Sequence, residues 1–489
     1  MGDASASLTR RTAVGVASNT TATLLTALFQ VVYTALMARL LTPREFGLVA
    51  MANVVIGLTS QLSRFGVGPA LIQYARLDEA MIRTATTIAW AFGAAGTLMI
   101  LGLSPVAGWF FDEPAVVPVL MALAVAISIA AVALVPEALL RRALRFQWLA
   151  GIDVASFAIG YLGVGIVAAL MGAGVWSLVA ATLSQAVVKT LALLLVERRG
   201  LRPGWTSTAA RQVASFGSQV TVIGLLQYGL ASLPTLFVGR FLGTGPLGQF
   251  NRADLVIRLP LERLTSTLSR VLFPALATVN REPSRFLSGY SIATAATAAL
   301  IVPASCFVAL LARPIVAILL GPGWDQAASV LPLLAAAAGL AYLTHFAGVA
   351  LEALGRLRGK LVSELVASLL LLAGLVTFID TGLSSVATVI LTVEAVRFGA
   401  QFVLLARVQE TTIGSVLRPL KAGALLGSLV AVTVLPVRSF AEDQASVIAV
   451  SVGLLAAAVG VSVAQFLPPV AKLRRDARSR LRAARTPNA

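Results

Sequence analysis

A succession of apolar segments, each about long enough to cross a lipid bilayer, constrains this chain more than any other feature. Roughly 20 apolar residues in a helix span the hydrocarbon core, and the sequence contains fourteen such segments. They lie at about 13–37, 46–74, 84–108, 115–136, 153–171, 174–196, 212–238, 247–276, 288–312, 326–350, 361–379, 383–406, 417–435 and 446–467. Strands of a membrane barrel would be shorter and would alternate in polarity. We therefore predict an all-α integral membrane protein.

The composition supports this prediction and excludes several kinds of site. Of the 489 residues, 58% are hydrophobic and 12% are charged, whereas a soluble domain has about 25% charged residues. Cys306 and His345 are the only residues of their types, which excludes an internal disulfide and a Cys/His metal cluster. The sequence has neither a P-loop nor a nucleophile motif. We expect no enzymatic activity, no cofactor and no metal.

The distribution of the net charge of +17 predicts the topology. With the N-terminus in the cytoplasm, most Lys and Arg residues fall in cytoplasmic loops, as the positive-inside rule requires. The outer loops carry few basic residues and several acidic ones, including Asp112, Glu113 and Asp325. We expect both termini in the cytoplasm, with the basic tail at 472–485 bound to anionic membrane lipids. Nucleic acid is not an expected partner.

Two related motifs suggest an internal repeat. Residues 39–47 and 240–248 both read Arg, apolar, Leu, and then Gly six residues after the Leu, at an offset of 201. Each precedes a long, polar span. Repeats of six spans have the same membrane orientation, an architecture found in transporters. We predict two pseudo-symmetric six-helix lobes around a central cavity (1–200 and 201–411), an extra helix pair (412–468) and a cytoplasmic tail (469–489).

The second and eighth spans carry matching polar stripes. At about 100° per residue, each stripe occupies one side of its helix. The stripe of the second span is Asn53, Gly57, Ser60, Gln61 and Arg64; the stripe of the eighth span is Asn251, Asp254, Arg258, Glu262, Thr265 and Ser269. The repeat offset superimposes the two stripes, and only that of the eighth span is rich in charge.

Charged residues inside a span normally face a bundle interior or a water-filled cavity. Asp254, Arg258 and Glu262 are spaced to pair along one helix face, and Glu394 is spaced to pair with Arg397. The stripes could line a substrate cavity or form a structural ion-pair ladder, and their arginines could bind a phosphate group or extend to lipid headgroups. The substrate-binding candidates are Arg64, Arg258, Arg263, Arg270, Asn53, Gln61 and Asn251; the ion-coupling candidates are Asp254 and Glu262.

Several motifs resemble the bacterial polysaccharide flippase family. They are ARLLTPREFGLVAM at 38–51, GVGPALIQ at 66–73, GVWSLV at 174–179, VGRFLG at 238–243 and RVLFPAL at 270–276. More narrowly, they resemble the colanic-acid exporter type within the multidrug/oligosaccharidyl-lipid/polysaccharide exporter superfamily. The resemblance implies alternating access, an undecaprenyl-pyrophosphate-linked oligosaccharide as substrate, and coupling to an ion gradient. One departure is Pro234, since relatives often carry an acidic residue near this position.

The function expected from these features is export of a lipid-linked precursor of cell-surface polysaccharide across the bacterial cytoplasmic membrane. Glycosyltransferases and a polymerase of the same pathway are possible partners. Two alternatives within the superfamily are a cation-coupled antiporter of small molecules and a flippase for the peptidoglycan precursor. A membrane-bound polymerase or ligase is a fourth hypothesis, but such enzymes usually need a large outer loop, and every predicted outer loop is short.

Overall fold

Residues 25–74, 77–278, 282–441 and 450 are described in the computed structural model, and within these ranges the chain is helical without strands. Seventeen α-helices follow one another in these ranges. They are α1 (Leu25–Leu40), α2 (Pro43–Arg64), α3 (Val67–Gln73), α4 (Glu79–Phe111), α5 (Val116–Arg142), α6 (Phe146–Phe157), α7 (Ile166–Leu170), α8 (Val175–Val196), α9 (Ser207–Phe237), α10 (Thr244–Thr278), α11 (Pro283–Leu310), α12 (Ala312–Leu319), α13 (Asp325–Ala353), α14 (Leu357–Phe378), α15 (Leu383–Val408), α16 (Ile413–Leu417) and α17 (Leu420–Ala441). A π-helical segment, Ala158–Gly165, joins α6 to α7, and another, Val238–Leu242, follows α9.

The apolar helices confirm the predicted all-α membrane fold. Within the described ranges, nine helical stretches are long and apolar enough to cross a membrane, and Leu25–Leu40 and Leu420–Pro436 are shorter apolar helices. The helices α9 and α10, with 31 and 35 residues, are long enough as well but more polar. The count of fourteen spans stays a prediction. Residues 13–24, the tail at 469–489, and all but residue 450 of the last predicted span lie outside the described residues.

The chain divides into two compact units, Met1–Asn251 and Arg252–Ala489. In unit 1, α2 packs against α4, α5 and α9, and α5 packs against α4 and α8. In unit 2, α11 packs against α13 and α17, while α15 packs against α13 and α14. This grouping reflects contacts rather than sequence repeats, so the predicted lobe boundaries at residues 200 and 411 stay predictions.

The residues Thr42, Pro43 and Glu45 of the first repeat motif stabilise the start of α2. Pro43 is the first helical residue, where its missing N–H costs nothing and its fixed φ favours the helix. The Glu45 carboxylate accepts a hydrogen bond from the Thr42 backbone N–H at 2.7 Å and another from the Thr42 hydroxyl at 2.9 Å. Glu45 thus satisfies the backbone donor of Thr42, which the helix itself leaves unpaired.

The two repeat motifs contact each other reciprocally in unit 1. A Cβ atom added to Gly47 would overlap the carbonyl oxygen of Thr244, and one added to Gly248 would overlap the carbonyl oxygen of Pro43. Pro43 and Gly47 correspond to Thr244 and Gly248 at the offset of 201, so equivalent residues make equivalent contacts. Glycine is therefore required at both positions because backbone approaches backbone, where no side chain can move aside.

Candidate functional site

The stripe of the second span lies on α2, and we call it the α2 stripe; it is partly in a helix interface of unit 1. The Tyr228 hydroxyl on α9 donates a hydrogen bond to the Asn53 carbonyl oxygen at 3.1 Å, and a Cβ atom at Gly57 would overlap the Tyr228 ring. The Gln61 side chain is half-buried near Gly224, whereas the side chains of Asn53 and Arg64 are exposed. The Gly57 side of the stripe thus packs on α9, and Asn53 and Arg64 keep accessible polar atoms.

The stripe of the eighth span lies on α10, and this α10 stripe carries an ion pair of its own. The Arg258 Nε atom lies 2.7 Å from Asp254 Oδ1, which confirms the predicted pairing of these two residues. The Arg258 side chain nevertheless remains 58% exposed. Glu262, one turn further, is exposed and forms no ion pair within the described ranges, and Asn251 is half-buried at the end of unit 1. Arg258 can therefore offer guanidinium donors to a ligand while Asp254 holds its Nε.

Two further candidates lie in α10 without a described side chain. The backbone of Arg263 and Arg270 belongs to the helix, and their side chains lie outside the described part of the structure. Their expected roles in binding substrate stay predictions.

A second group of charged residues in unit 2 neighbours the α10 stripe. The Arg397 guanidinium on α15 pairs with Glu394 Oε2 at 2.7 Å and with Glu364 Oε2 on α14 at 3.0 Å. Arg258 lies within electrostatic range of Glu394 and of Tyr342 on α13. The predicted pairing of Glu394 with Arg397 is confirmed. We call Asp254, Arg258, Glu364, Glu394 and Arg397 the unit 2 charge cluster.

Hydrogen bonds hold the α14 side of this cluster in place. The Gln401 amide donates to Glu364 Oε1 at 3.0 Å and to the Ser363 hydroxyl at 3.3 Å, and Gln401 is fully buried. Sequence reasoning did not assign Glu364 or Gln401 to the site. The sequence places Glu364 and Arg397 in two different apolar spans. This indicates charged side chains within the membrane, but it does not show which side chains of the two helices lie opposite each other.

The charges of the unit 2 charge cluster determine its chemistry. These five described side chains comprise three carboxylates and two guanidinium groups, so their formal charges sum to −1. Charges removed from water are costly unless they are paired and hydrogen-bonded, and the pairs reported above meet most of that requirement. The remaining acidic capacity is what a site for a proton or a monovalent cation needs, while Arg258 provides donors suited to a phosphate group.

Unit 1 has an ion-pair network at the basic end of α5. The Lys189 ammonium lies 2.8 Å from Asp153 Oδ1 and 3.4 Å from Glu137 Oε2, and Arg141 pairs with Glu137 at 2.5 Å. This network joins α5, α6 and α8. No described group of three or more His, Cys, Asp and Glu side chains is placed to hold a metal ion.

Comparison with known proteins finds relatives named for surface polysaccharide synthesis. The chain is 24% identical over 334 residues to the lipopolysaccharide biosynthesis protein WzxC of Escherichia coli K12, covering 67% of each chain. It is 26% identical over 311 residues to the succinoglycan biosynthesis transport protein ExoT of Rhizobium meliloti, covering 62% of each. It is also 26% identical over 463 residues to the teichuronic acid biosynthesis protein TuaB of Bacillus subtilis, covering 91% of this chain and 94% of that protein.

Solved structures share the fold. The lipid II flippase MurJ, in an inward closed conformation, aligns with a TM-score of 0.71 at 11% identity, covering 91% of this chain and 98% of MurJ. An inward-facing multidrug resistance transporter of the MATE family aligns with a TM-score of 0.61 at 16% identity, covering 79% and 96%. Both are multi-pass membrane proteins by fold, as this chain is.

The family model described as "Polysaccharide biosynthesis protein" matches residues 36–329. The matched region includes both repeat motifs, the α2 stripe and the α10 stripe. Because it covers more than half of the sequence, this membrane protein belongs to the polysaccharide biosynthesis protein family.

Proposed function

We propose that the chain is a flippase that moves an undecaprenyl-pyrophosphate-linked oligosaccharide, a precursor of cell-surface polysaccharide, across the cytoplasmic membrane by alternating access. The proposal rests on Arg258, whose side chain is 58% exposed although it lies within α10, a helix of 35 residues. A charged group at this depth is stable when it faces a water-filled cavity. A guanidinium in such a cavity recognises the oxygens of a pyrophosphate.

In this mechanism the chain separates the three parts of its substrate. In unit 2, Arg258 offers donors to the pyrophosphate. In unit 1, Arg64, Asn53 and Gln61 are the candidates for contacts with the headgroup and the oligosaccharide. The prenyl chain stays in lipid, so the sugar never enters hydrocarbon. Asp254 and Glu262 are the groups through which an ion gradient would act, and Arg263, Arg270 and Asn251 remain candidates for contacts with the headgroup.

The names of the relatives support this substrate class. WzxC, ExoT and TuaB are named for lipopolysaccharide, succinoglycan and teichuronic acid synthesis, and ExoT is described as a transport protein. We infer a carrier rather than an enzyme, located in the cytoplasmic membrane with both termini inside. Glycosyltransferases that build the precursor and a polymerase that consumes it would act on either side of the transport step.

The fold shared with MurJ favours one second candidate, a flippase for the peptidoglycan precursor. Both substrates would present a lipid-linked pyrophosphate and a sugar to the same arginines. Deletion of the gene separates the two functions, since loss of the only peptidoglycan flippase is lethal and loss of a surface-polysaccharide flippase is not.

Transport in proteoliposomes tests the proposal directly. A fluorescent undecaprenyl-pyrophosphate oligosaccharide is placed in both leaflets, and a reagent added outside measures its movement. We expect Arg258→Ala to slow translocation by about tenfold or more, from the loss of a charge-assisted contact of about 1.5–3 kcal/mol. Arg285→Ala is the control, because Arg285 pairs with Glu282 at the exposed start of α11.

Two different results would overturn two parts of the proposal. If the wild-type protein does not move the lipid-linked oligosaccharide, the function is wrong. If the wild type moves it and Arg258→Ala moves it equally fast, the function stands and the assignment of the site is wrong.

A further inference from the structure

An open groove on unit 2 shares Arg397 with the unit 2 charge cluster and contains none of the proposed substrate-binding residues. It runs between α14 and α15, has a volume of about 530 Å³, and has apolar walls that include Val362, Val366, Val396 and Val403. Val362, Val366 and Val396 are exposed. An exposed apolar surface on a membrane protein is covered by hydrocarbon, so the natural occupant of these walls is a lipid chain.

The charges along the groove are all of one sign. Twelve residues line it, among them Arg358, Arg397 and Arg407, and none of the twelve is a carboxylate. Arg397 is held by Glu364 and Glu394. Arg358 and Arg407 are exposed, and neither forms an ion pair with a carboxylate within the described ranges. The mouth of the groove therefore offers two guanidinium groups to an anion.

The length of the groove matches one leaflet. From Arg358 to Val366 along α14, the helix rises about 12 Å at about 1.5 Å per residue. Half of a hydrocarbon core of about 30 Å is about 15 Å. Further along, the helices close together, because a Cβ atom at Gly374 would crowd the Val389 side chain. A lipid with its phosphate at the arginines would thus extend its chain along the walls within a single leaflet.

The part of this chain that follows α17 is a less suitable occupant of the groove than a lipid. The helix α17 packs on α11, and Val450 packs on the apolar cluster of Leu311, Ile315, Val430 and Val434. In unit 2, α11 packs on α13, and α13 in turn packs on α14 and α15. The sequence beyond residue 471 is also basic, and would be repelled by Arg358 and Arg407.

We propose that the groove between α14 and α15 binds one anionic phospholipid, with its phosphate between Arg358 and Arg407 and an acyl chain along the valine-lined walls. In the topology expected from the loop charges, this end of the groove lies in the cytoplasmic leaflet, where anionic headgroups attract basic residues. The bound lipid would be a fixed component of unit 2, separate from the transported substrate.

Native mass spectrometry of the full-length protein in detergent tests the site. Phosphatidylglycerol is titrated against phosphatidylcholine of the same chains, and inorganic phosphate is tested separately. We expect the wild type to retain one phosphatidylglycerol in preference to phosphatidylcholine. At about 1 kcal/mol for each basic residue, the Arg358→Gln/Arg407→Gln variant should bind phosphatidylglycerol about tenfold or more weakly. Inorganic phosphate should not compete, because it lacks the chain that fills the walls.

The matched control is Arg356→Gln/Arg418→Gln, which removes two exposed arginines that do not line the groove. A second variant, Ala400→Phe, fills the groove and leaves the arginines in place, and we expect it to reduce retention of phosphatidylglycerol. Equal retention by the wild type and both groove variants overturns the proposal. The proposal is also overturned if Arg358→Gln/Arg407→Gln and the control lose phosphatidylglycerol equally, since this result indicates general attraction to a basic surface. Competition by inorganic phosphate would show an anion site without a lipid chain.

Discussion

The two units enclose their charged networks to different degrees. In unit 1, Lys189 and Asp153 are 30% and 49% exposed, and Arg64 is the one charged member of the α2 stripe. In unit 2, Arg397 and Glu394 are each 20% exposed, and the α10 stripe has the Asp254–Arg258 pair. The equivalent spans of the two halves thus differ in charge and in what surrounds them.

Glycine contacts bring helices together in both units, at Gly47 and Gly248 in unit 1 and at Gly423 in unit 2, where an added Cβ atom would overlap the Ala298 carbonyl. The units differ instead in their charged networks, because Arg397 and Glu394 of unit 2 are the more enclosed. Enclosed charges are costly unless they are paired, and charges inside a span are typical of a functional site. We therefore expect coupling and headgroup recognition to depend mainly on unit 2.

The largest expected effect breaks the unit 2 charge cluster. Arg397→Ala leaves Glu364 and Glu394 without their shared cation in a place where the Arg397 side chain is 20% exposed. We expect the free energy of unfolding to fall by about 3 kcal/mol, measured by denaturant unfolding in detergent. Arg397→Lys keeps the charge and loses the planar fork, so its loss should be smaller. If Arg397→Ala unfolds at the same denaturant concentration as the wild type, the cluster does not contribute to stability.

The next effect concerns the glycine contacts of unit 1. Gly248→Ala forces a methyl group against the Pro43 carbonyl, and overpacking of this kind costs about 2 kcal/mol. Gly245→Ala, one turn away, meets open space and should unfold like the wild type. Thermal unfolding of the two variants side by side measures the difference. Equal midpoints would mean that the start of α10 can move away from α2 at little cost.

A smaller effect is expected for the ion-pair network of unit 1. Lys189→Ala removes a side chain that is 30% exposed, and Glu137 keeps its pair with Arg141. The loss in unfolding free energy should be about 1 kcal/mol, which is less than for Arg397→Ala. The comparison between the units is contradicted if Lys189→Ala proves the more destabilising of the two.

The smallest effect belongs to a surface pair. Arg44 lies 3.3 Å from Glu113 and is 65% exposed, so Arg44→Ala should cost about 0.5 kcal/mol or less. High salt screens exposed pairs, and the difference from the wild type should disappear at about 1 M salt. A loss that persists in salt would assign Arg44 a packing role that the exposed geometry does not predict.

The structure also shows why some of the site could be predicted from the sequence and some could not. Pairs on one helix follow from spacing alone, as for Arg258 with Asp254 and Arg397 with Glu394, because the helical period fixes which side chains are neighbours. Contacts between helices do not follow, because the register between two spans is set by side-chain packing. Glu364 and Gln401 therefore became part of the cluster only when α14 and α15 were placed together.

The sequence by itself determined the class of the protein. Apolar segments of bilayer length require helices, because backbone polar groups in lipid must be paired within the segment, and the loop charges predict their direction. Tertiary structure decided which charges meet and which glycines are indispensable. The reciprocal contacts of Gly47 and Gly248, the meeting of Arg397 with Glu364, and the groove between α14 and α15 all depend on how helices pack, which no single segment encodes.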